Sequence, residues 1–568
     1  MFSLFLALPL LVVSPVSSPT PDPGPTVRIA TGTLRGTLYG KAAVFKGVPY
    51  AAPPVGTFRW REPQPAATWT GVRDATHPGD ACLQNPEGLN PFIAPLAEAY
   101  GATYLRQPVP SSEDCLYLNI WTPEWPAAKS HPVMVWLHGG SNRAGSGSQP
   151  TYDGASLTAH GVVLVTINYR LGVMGFFSHP ELTRESAHHS SGNYGLLDQL
   201  AALRWVQQNI AQFGGDPGNV TLFGESAGSI DAGMLIASPL SSGLFRRAIL
   251  ESGPPFGLGA PHTLAQAEPV GSAIGNAAPA ASGAATGLEK LRAMPAAEVV
   301  QLAASVVKSQ LQGFDPNSPI VDGWVLREPP ARAFAAGRQQ RVDLMIGLNG
   351  RELSAFRVDA AALAKEAGPQ PASGGAGAAI KTFEDAARPI YGNWTTPALS
   401  IYLGKAILDR VGAIDQAGND MLMACPVGAV AALTAAAGQR AYVYRFDRAI
   451  PGKGASTLGA FHGLEIPYVF NAFDDNGWNW LPFTQADREL GRTIEEYWTN
   501  FAKAGDPSGD TSRNPPSVPN LPKWSAWQSG GEPYMNFTKE AHASLSHSFS
   551  PTFCHLAPDR LKDKLGSN

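Results

Sequence analysis

Charge is scarce in this chain. Asp, Glu, Lys and Arg make up only 15% of its 568 residues and nearly cancel, to a net −4. There is no basic stripe and no acidic tail, so nucleic acid is not an expected partner. Cysteine is rarer still, with four residues: Cys82, Cys115, Cys425 and Cys554. No two form a Cys-x-x-Cys pair, which argues against a zinc or redox motif, and no metal is expected. Beyond the N-terminal region no segment reads as membrane-spanning. The final residues, KDKLGSN, carry no anchor signal, so no membrane anchor is expected after processing.

What is present suits a large folded unit. The 44% hydrophobic content can build a sizeable core, and 60 glycines and 50 prolines imply many loops on a scaffold. The start, MFSLFLALPLLVVSPVSS, is apolar from Phe2 to Val13 and then turns to small residues. It reads as a signal peptide over residues 1–18, although it has no Lys or Arg ahead of the apolar run. A buried strand or an anchor is the other reading of that run. Residues 19–26 form a flexible leader. An even cysteine count fits an oxidising compartment, secreted or periplasmic, and the spacing leaves three pairings open. Sequons stand at Asn393 and Asn536, and a third, Asn219, lies beside an expected strand.

Short apolar runs predict strands over Val133–Leu137, Val162–Ile167, Val220–Phe223, Arg247–Leu250, Leu344–Gly347 and Tyr442–Phe446. Between them, Leu196, Leu200, Leu203, Val206 and Ile210 recur at helical spacing, and Gly214-Gly215 ends the pattern. Alternating strands and helices predict an α/β fold with a large, mostly parallel sheet and helices on both faces. The Ala/Gly-rich stretch Asp359–Ala379 reads as a surface helix or loop.

The chemistry gathers at VTLFGESAGSI, Val220–Ile230. Ser226 sits in a Gly-x-Ser-x-Gly pattern between an expected strand and an expected helix, the pattern of a nucleophile elbow. Gly224 and Gly228 leave room where a Cβ would collide with neighbouring strands. A lone serine is a weak nucleophile near neutral pH and needs a base and an orienting acid. In this fold type the chain order is Ser, acid, His. IGLNGRELSAF offers Glu352 and GAFHGLEIPYVF offers His462, each in a loop after an expected strand.

With these residues in place, the chain resembles the type-B carboxylesterases, the α/β-hydrolase family that includes the cholinesterases. The resemblance rests on FKGVPYAAPPVGTFRW (Phe45–Trp60), EDCLYLNIW (Glu113–Trp121), NYRLGVMGF (Asn168–Phe176) and FGGDPGNVTLFGESAG (Phe213–Gly228), in family order. It implies a single catalytic domain over residues 27–560, with long loop insertions forming a gorge. It implies Ser226 as nucleophile, Glu352 as acid and His462 as base, with no cofactor and a small-molecule ester as substrate. In the loop LHGGSNRAGSG (Leu137–Gly147) it implies that the amides of Gly140 and Ser141 join that of Ala227 in an oxyanion hole. Ser141 stands where the family has glycine, and Arg351 where it often has an acid. The resemblance also pairs Cys82 with Cys115 and Cys425 with Cys554. It makes Arg59–Glu113 and Arg170–Asp198 buried ion pairs and sets Glu225 and Glu465 near the gorge floor.

Two departures narrow the function. The Cys82–Cys115 loop has no tryptophan with which to hold a quaternary ammonium, so a cholinesterase is disfavoured. Asn142-Arg143 stands where relatives carry aromatic or apolar residues. We read it as a substrate contact for an ester bearing a carboxylate; a solvated or internally bridged arginine is the other reading. A non-catalytic adhesion or scaffold protein on this fold typically lacks a triad member, whereas all three are present. An amidase or lactonase would use the same residues.

Overall fold

The apolar runs become strands of one sheet. Numbered in chain order, they are β1 (Thr37–Tyr39), β2 (Ala42–Pro49), β3 (Tyr117–Thr122), β4 (His131–Leu137), β5 (Val163–Ile167) and β6 (Gly215–Glu225). They continue as β7 (Arg247–Glu251), β8 (Asp343–Asn349), β9 (Ala441–Phe446), β10 (Tyr534–Phe537) and β11 (Ala543–Ser546). Among the described residues the sheet has eleven strands in the order β11-β10-β9-β8-β7-β6-β4-β5-β3-β2-β1. Every pairing from β10 through to β5 is parallel. Antiparallel strands close both ends, β11 on one side and β3, β2 and β1 on the other. The mixed, mostly parallel sheet is the expected α/β architecture.

The chain is described by a computed structural model covering residues 24–556 apart from 106–108, 258–260, 281–285, 311–316, 358–380, 382–383, 386–387, 389–394, 476 and 510–517. The signal-peptide stretch, most of the leader, Asp359–Ala379 and Asn393 lie outside the described residues.

Each central strand is buried on both faces, as a parallel strand covered by crossover helices must be. Alternate side chains feed two cores. Val133, Val135 and Leu137 of β4 join Val163, Val165, Leu222 and Ile346 on one face. Met134 and Trp136 join Leu164, Phe223, Ile249 and Met345 on the other. Burying one such side chain stabilises the fold by roughly 1.5–3 kcal/mol. The amphipathic stretch from Leu196 forms the helix Tyr194–Asn209, then a 3₁₀ turn Ile210–Phe213 that Gly214 ends at φ 77°. The helical run Gly412–Ala436 is long and apolar enough to cross a membrane, yet most of it is buried inside the molecule as a core element.

The pairs Cys82–Cys115 and Cys425–Cys554 are disulfides. Arg59 grips Glu113 at 2.7 and 2.8 Å, and Arg170 grips Asp198 at 2.7 Å through two nitrogens. Both pairs are largely buried fold supports, remote in role from the chemistry below.

Candidate active site

Four loops at the carboxyl ends of parallel strands converge, the usual place for a site in such a sheet. After β6 the chain turns sharply into the helix Ala227–Ala237, with Ser226 at the corner at φ 55° and ψ −122°. A left-handed φ is unusual for a residue with a side chain, so the surroundings must enforce it. They do so through close approach. A Cβ on Gly228 would sit 2.1 Å from the Leu137 carbonyl oxygen, and one on Gly224 2.7 Å from the same oxygen. The Ser226 N–H donates to the Glu251 carbonyl at 2.9 Å, pinning the corner to β7.

Ser226 Oγ lies 2.8 Å from His462 Nε2, and His462 Nδ1 lies 2.6 Å from Glu352 Oε2. Glu352 is fully buried and opens a 3₁₀ turn, Glu352–Arg357, just after β8. Its Oε1 accepts the Asn349 N–H at 2.6 Å, and its own N–H donates to Asn419 Oδ1 at 3.0 Å. Asn349 also donates through its side chain to the Phe461 carbonyl at 2.8 Å and to Glu465. The acid turn and the histidine loop are thereby tied together. Ser226, His462 and Glu352, separated by more than a hundred residues at each step, are one hydrogen-bonded line.

Two more carboxylates face this line. Glu225 Oε1 is 3.2 Å from His462 Nε2, an ion contact rather than a directed hydrogen bond. Burial pushes Glu225 up to about 8, with the His462 charge acting the other way. Glu465 accepts from Ser252 Oγ at 2.6 Å, and burial next to Glu352 pushes it up to about 7. Burial works against a proton on His462, but Glu225 and Glu352 outweigh it and push the imidazole up to about 9.

The loop after β4 lies against the elbow. A Cβ on Gly139 would sit 2.6 Å from Glu225 Oε2 and 3.1 Å from Ser226 Cβ. Gly140 (φ 105°) and Ser141 (φ 56°) continue it in left-handed backbone. Ala227 is the first residue of its helix, where an N–H has no acceptor within the helix. The loop also holds Gly140, Ser141 and Arg143 in the wall of a cavity of about 750 Å³ that reaches Ser226 and His462. The rest of that wall is mostly apolar, with Leu89, Phe92, Ile93, Tyr104, Phe356 and Trp478. Phe356 stacks obliquely on the His462 ring at 5.0 Å and on Phe92 at 5.5 Å.

Arg143 is exposed on this wall. Asn142 is not, and its assignment to substrate is corrected. It is buried, and its Nδ2 donates to Asp231 Oδ1 at 3.1 Å. Asp231 is fully buried on the nucleophile's helix, and Gln199 Nε2 donates to its other oxygen at 2.6 Å. A buried carboxylate needs such donors, and burial still pushes Asp231 up to about 7. Asn142 therefore anchors the loop to the helix and turns away from the cavity. Sequence reasoning missed Asn349, Asn419 and Asp231. Nothing local marks them, because the partners of their side chains lie far along the chain. Phe356 had a usable signal, an aromatic four residues past the acid. Among the described residues no group of His, Cys, Asp and Glu is arranged to hold a metal.

Comparison with known proteins identifies the family. The carboxylesterase family model matches residues 23–556. The chain is 35% identical to the fumonisin B1 esterase of Sphingopyxis macrogoltabida over 546 residues, 95% of this chain and 91% of that protein. It is 34% identical to the para-nitrobenzyl esterase of Bacillus subtilis (strain 168), over 84% of this chain and 89% of that one. The solved structure of a Geobacillus stearothermophilus carboxylesterase superimposes with a TM-score of 0.73 at 31% identity, covering 95% of this chain and 99% of that one. A para-nitrobenzyl esterase structure gives 0.72 at 29% identity, covering 96% and 99%. The fold is the α/β-hydrolase fold, and the chain belongs to the carboxylesterase family.

Proposed function

We propose that this protein hydrolyses carboxylic esters through an acyl-enzyme on Ser226. The observation that carries the reading is the line from Ser226 Oγ to His462 Nε2 (2.8 Å) and from His462 Nδ1 to Glu352 (2.6 Å) on a strained elbow. Ser226 Oγ attacks the ester carbonyl as His462 Nε2 takes its proton. Glu352 fixes the imidazole tautomer and balances the imidazolium. The amides of Gly140, Ser141 and Ala227 hold the oxyanion, each such donor contributing about 3–4 kcal/mol. His462 then gives its proton to the leaving alkoxide. Water, deprotonated by the same nitrogen, releases the acid and restores Ser226.

Ser226→Ala should abolish ester hydrolysis while the melting temperature stays close to that of the parent. An organophosphate should label Ser226 in the parent only, read by peptide mass. An alanine variant that keeps most of its activity refutes the assignment. An ester, amide and lactone panel on the parent separates the three reactions this triad can serve.

The preferred ester carries a carboxylate near the scissile bond, held by Arg143. What supports this is an exposed arginine lining an otherwise mostly apolar wall, within the loop proposed to bind the oxyanion. A guanidinium pairs a carboxylate through two parallel bonds. Arg143→Ala should lower kcat/KM for an anionic ester by roughly tenfold or more, the size of one lost charge-assisted bond. A neutral ester of equal shape should be nearly unaffected, and an equal loss on both refutes the preference. The protein acts outside the cytoplasm, a reading that its two disulfides and apolar N-terminus support.

A further inference from the structure

Three contacts converge on the turn that carries Glu352, and all come from one helix, Arg410–Asn419. Asn419 Oδ1 accepts the Glu352 N–H at 3.0 Å. Asp415 Oδ2 takes Arg351 Nη2 at 2.7 Å, just before the turn. Asp415 Oδ1 lies 2.8 Å from Arg357 Nη1, at the turn's last residue. Asp415 and Asn419 are four residues apart, so they share one helix face. Both are buried, at 3% and 2% exposure, while the two arginines reach Asp415 from partly exposed positions. A buried carboxylate left unpaired is costly, so the arginines at either end of the six-residue turn are drawn to the same anchor. The helix face thus holds the turn at its start, at its end and at the Glu352 amide.

The other support of the turn is the histidine loop. The Arg351 N–H donates to the Ala460 carbonyl at 2.9 Å, and Ser354 Oγ donates to the Leu458 carbonyl at 2.7 Å. Past Asn419 the chain widens into a π-helical turn, Asp420–Ala424, before the helix that begins at Cys425. Such wide turns occur often where a helix is shaped around a functional site.

We propose that the face of helix Arg410–Asn419 bearing Asp415 and Asn419 is a positioning element that sets where the Glu352 carboxylate meets His462 Nδ1. The proposal rests on the reading of Glu352 as the acid of the triad. Neither Asp415 nor Asn419 touches substrate. They act through the turn, and misplacing a catalytic group by about 1 Å can cost on the order of a hundredfold.

The test uses the full chain with Asn419→Leu, Asn419→Asp and Asp415→Asn, and with Glu352→Gln as reference. Asn419→Leu keeps the branched shape and removes the acceptor. Its kcat should fall roughly tenfold or more with KM little changed, the pattern of an interaction felt in the transition state. A second readout is the acid limb of kcat/KM against pH. Glu225 on the elbow, Glu352 on the acid turn and Glu465 beyond the histidine all face His462 and favour its proton. Loosening Glu352 alone weakens that set, so the limb should move to lower pH. Asn419→Asp retains an acceptor and should not move the limb down. Asp415→Asn should shift kcat and limb in the same direction as Asn419→Leu. If Asn419→Leu melts below the assay temperature, Asp415→Asn decides. Unchanged kcat and an unmoved limb in folded variants overturn the proposal. If Glu352→Gln is also fully active, it is the triad reading that fails.

Discussion

Ser226 stores strain of the order expected for a left-handed non-glycine residue, about 1–3 kcal/mol, and the surrounding glycines and β7 hold it there. What it gains is a hydroxyl lifted off the sheet within reach of His462. Glu225, its neighbour in the chain, tunes that histidine. In the proposed mechanism His462 takes a proton only when neutral, so kcat/KM should rise with pH through its titration. The Glu225 carboxylate favours the protonated imidazole and moves that rise upward. Glu225→Gln keeps the shape and removes the charge, so the acid limb should move to lower pH. The kcat/KM profile checks this, and a limb that stays put or moves up refutes it. The proposed triad of Ser226, Glu352 and His462 can be named from the sequence because each sits in a short pattern with a fixed chain order. Asp231 and Asn419 cannot be, since their partners lie 89 and 67 residues away. A single Asp or Asn with a distant partner leaves no local pattern.

The elements divide in the same way. β4, β5, β7, β8 and β9 were readable to within two residues because burial on both faces demands unbroken apolar runs. The elbow strand is the partial exception. Only its apolar half, Val220–Phe223, stands out, while β6 begins at Gly215 and has polar residues before a shift of register. The margins of the sheet were not readable. β1 is exposed along its whole length, and the four residues of β10 alternate between buried and half-buried. Such segments are strands because a neighbour offers an edge, which their own residues do not announce. The helix Gln485–Ala504 carries local signals of its own. Thr484 and Asp487 form a capping box, and Gly505 ends the helix at φ 70°. Caps deserve as much weight as periodicity in a chain where nearly every long helix is also packed.

At the scale of the molecule the two disulfides do different work. Cys82–Cys115 closes 33 residues of chain, and Leu89, Phe92, Ile93 and Tyr104 within that loop line the cavity. Cys425–Cys554 closes 129 residues and ties the C-terminal helix Thr552–Leu556 to a satellite core around Tyr402, Met421 and Phe553. Loop entropy alone predicts about 4 kcal/mol of stabilisation for the first and about 5 kcal/mol for the second. The larger loss of stability should therefore follow removal of the bridge that closes the longer loop. The double variant Cys425→Ser/Cys554→Ser should lower the unfolding free energy more than Cys82→Ser/Cys115→Ser, measured in urea. Steady-state kinetics should rank them the other way for KM. Freeing the first loop lets Leu89, Phe92, Ile93 and Tyr104 move, so substrate binding weakens, whereas the wall residues within the second loop, His462 to Trp478, lie farther along the chain from either of its cysteines. Equal KM in both variants would mean that the wall is held by its own packing, with the disulfide adding only to stability.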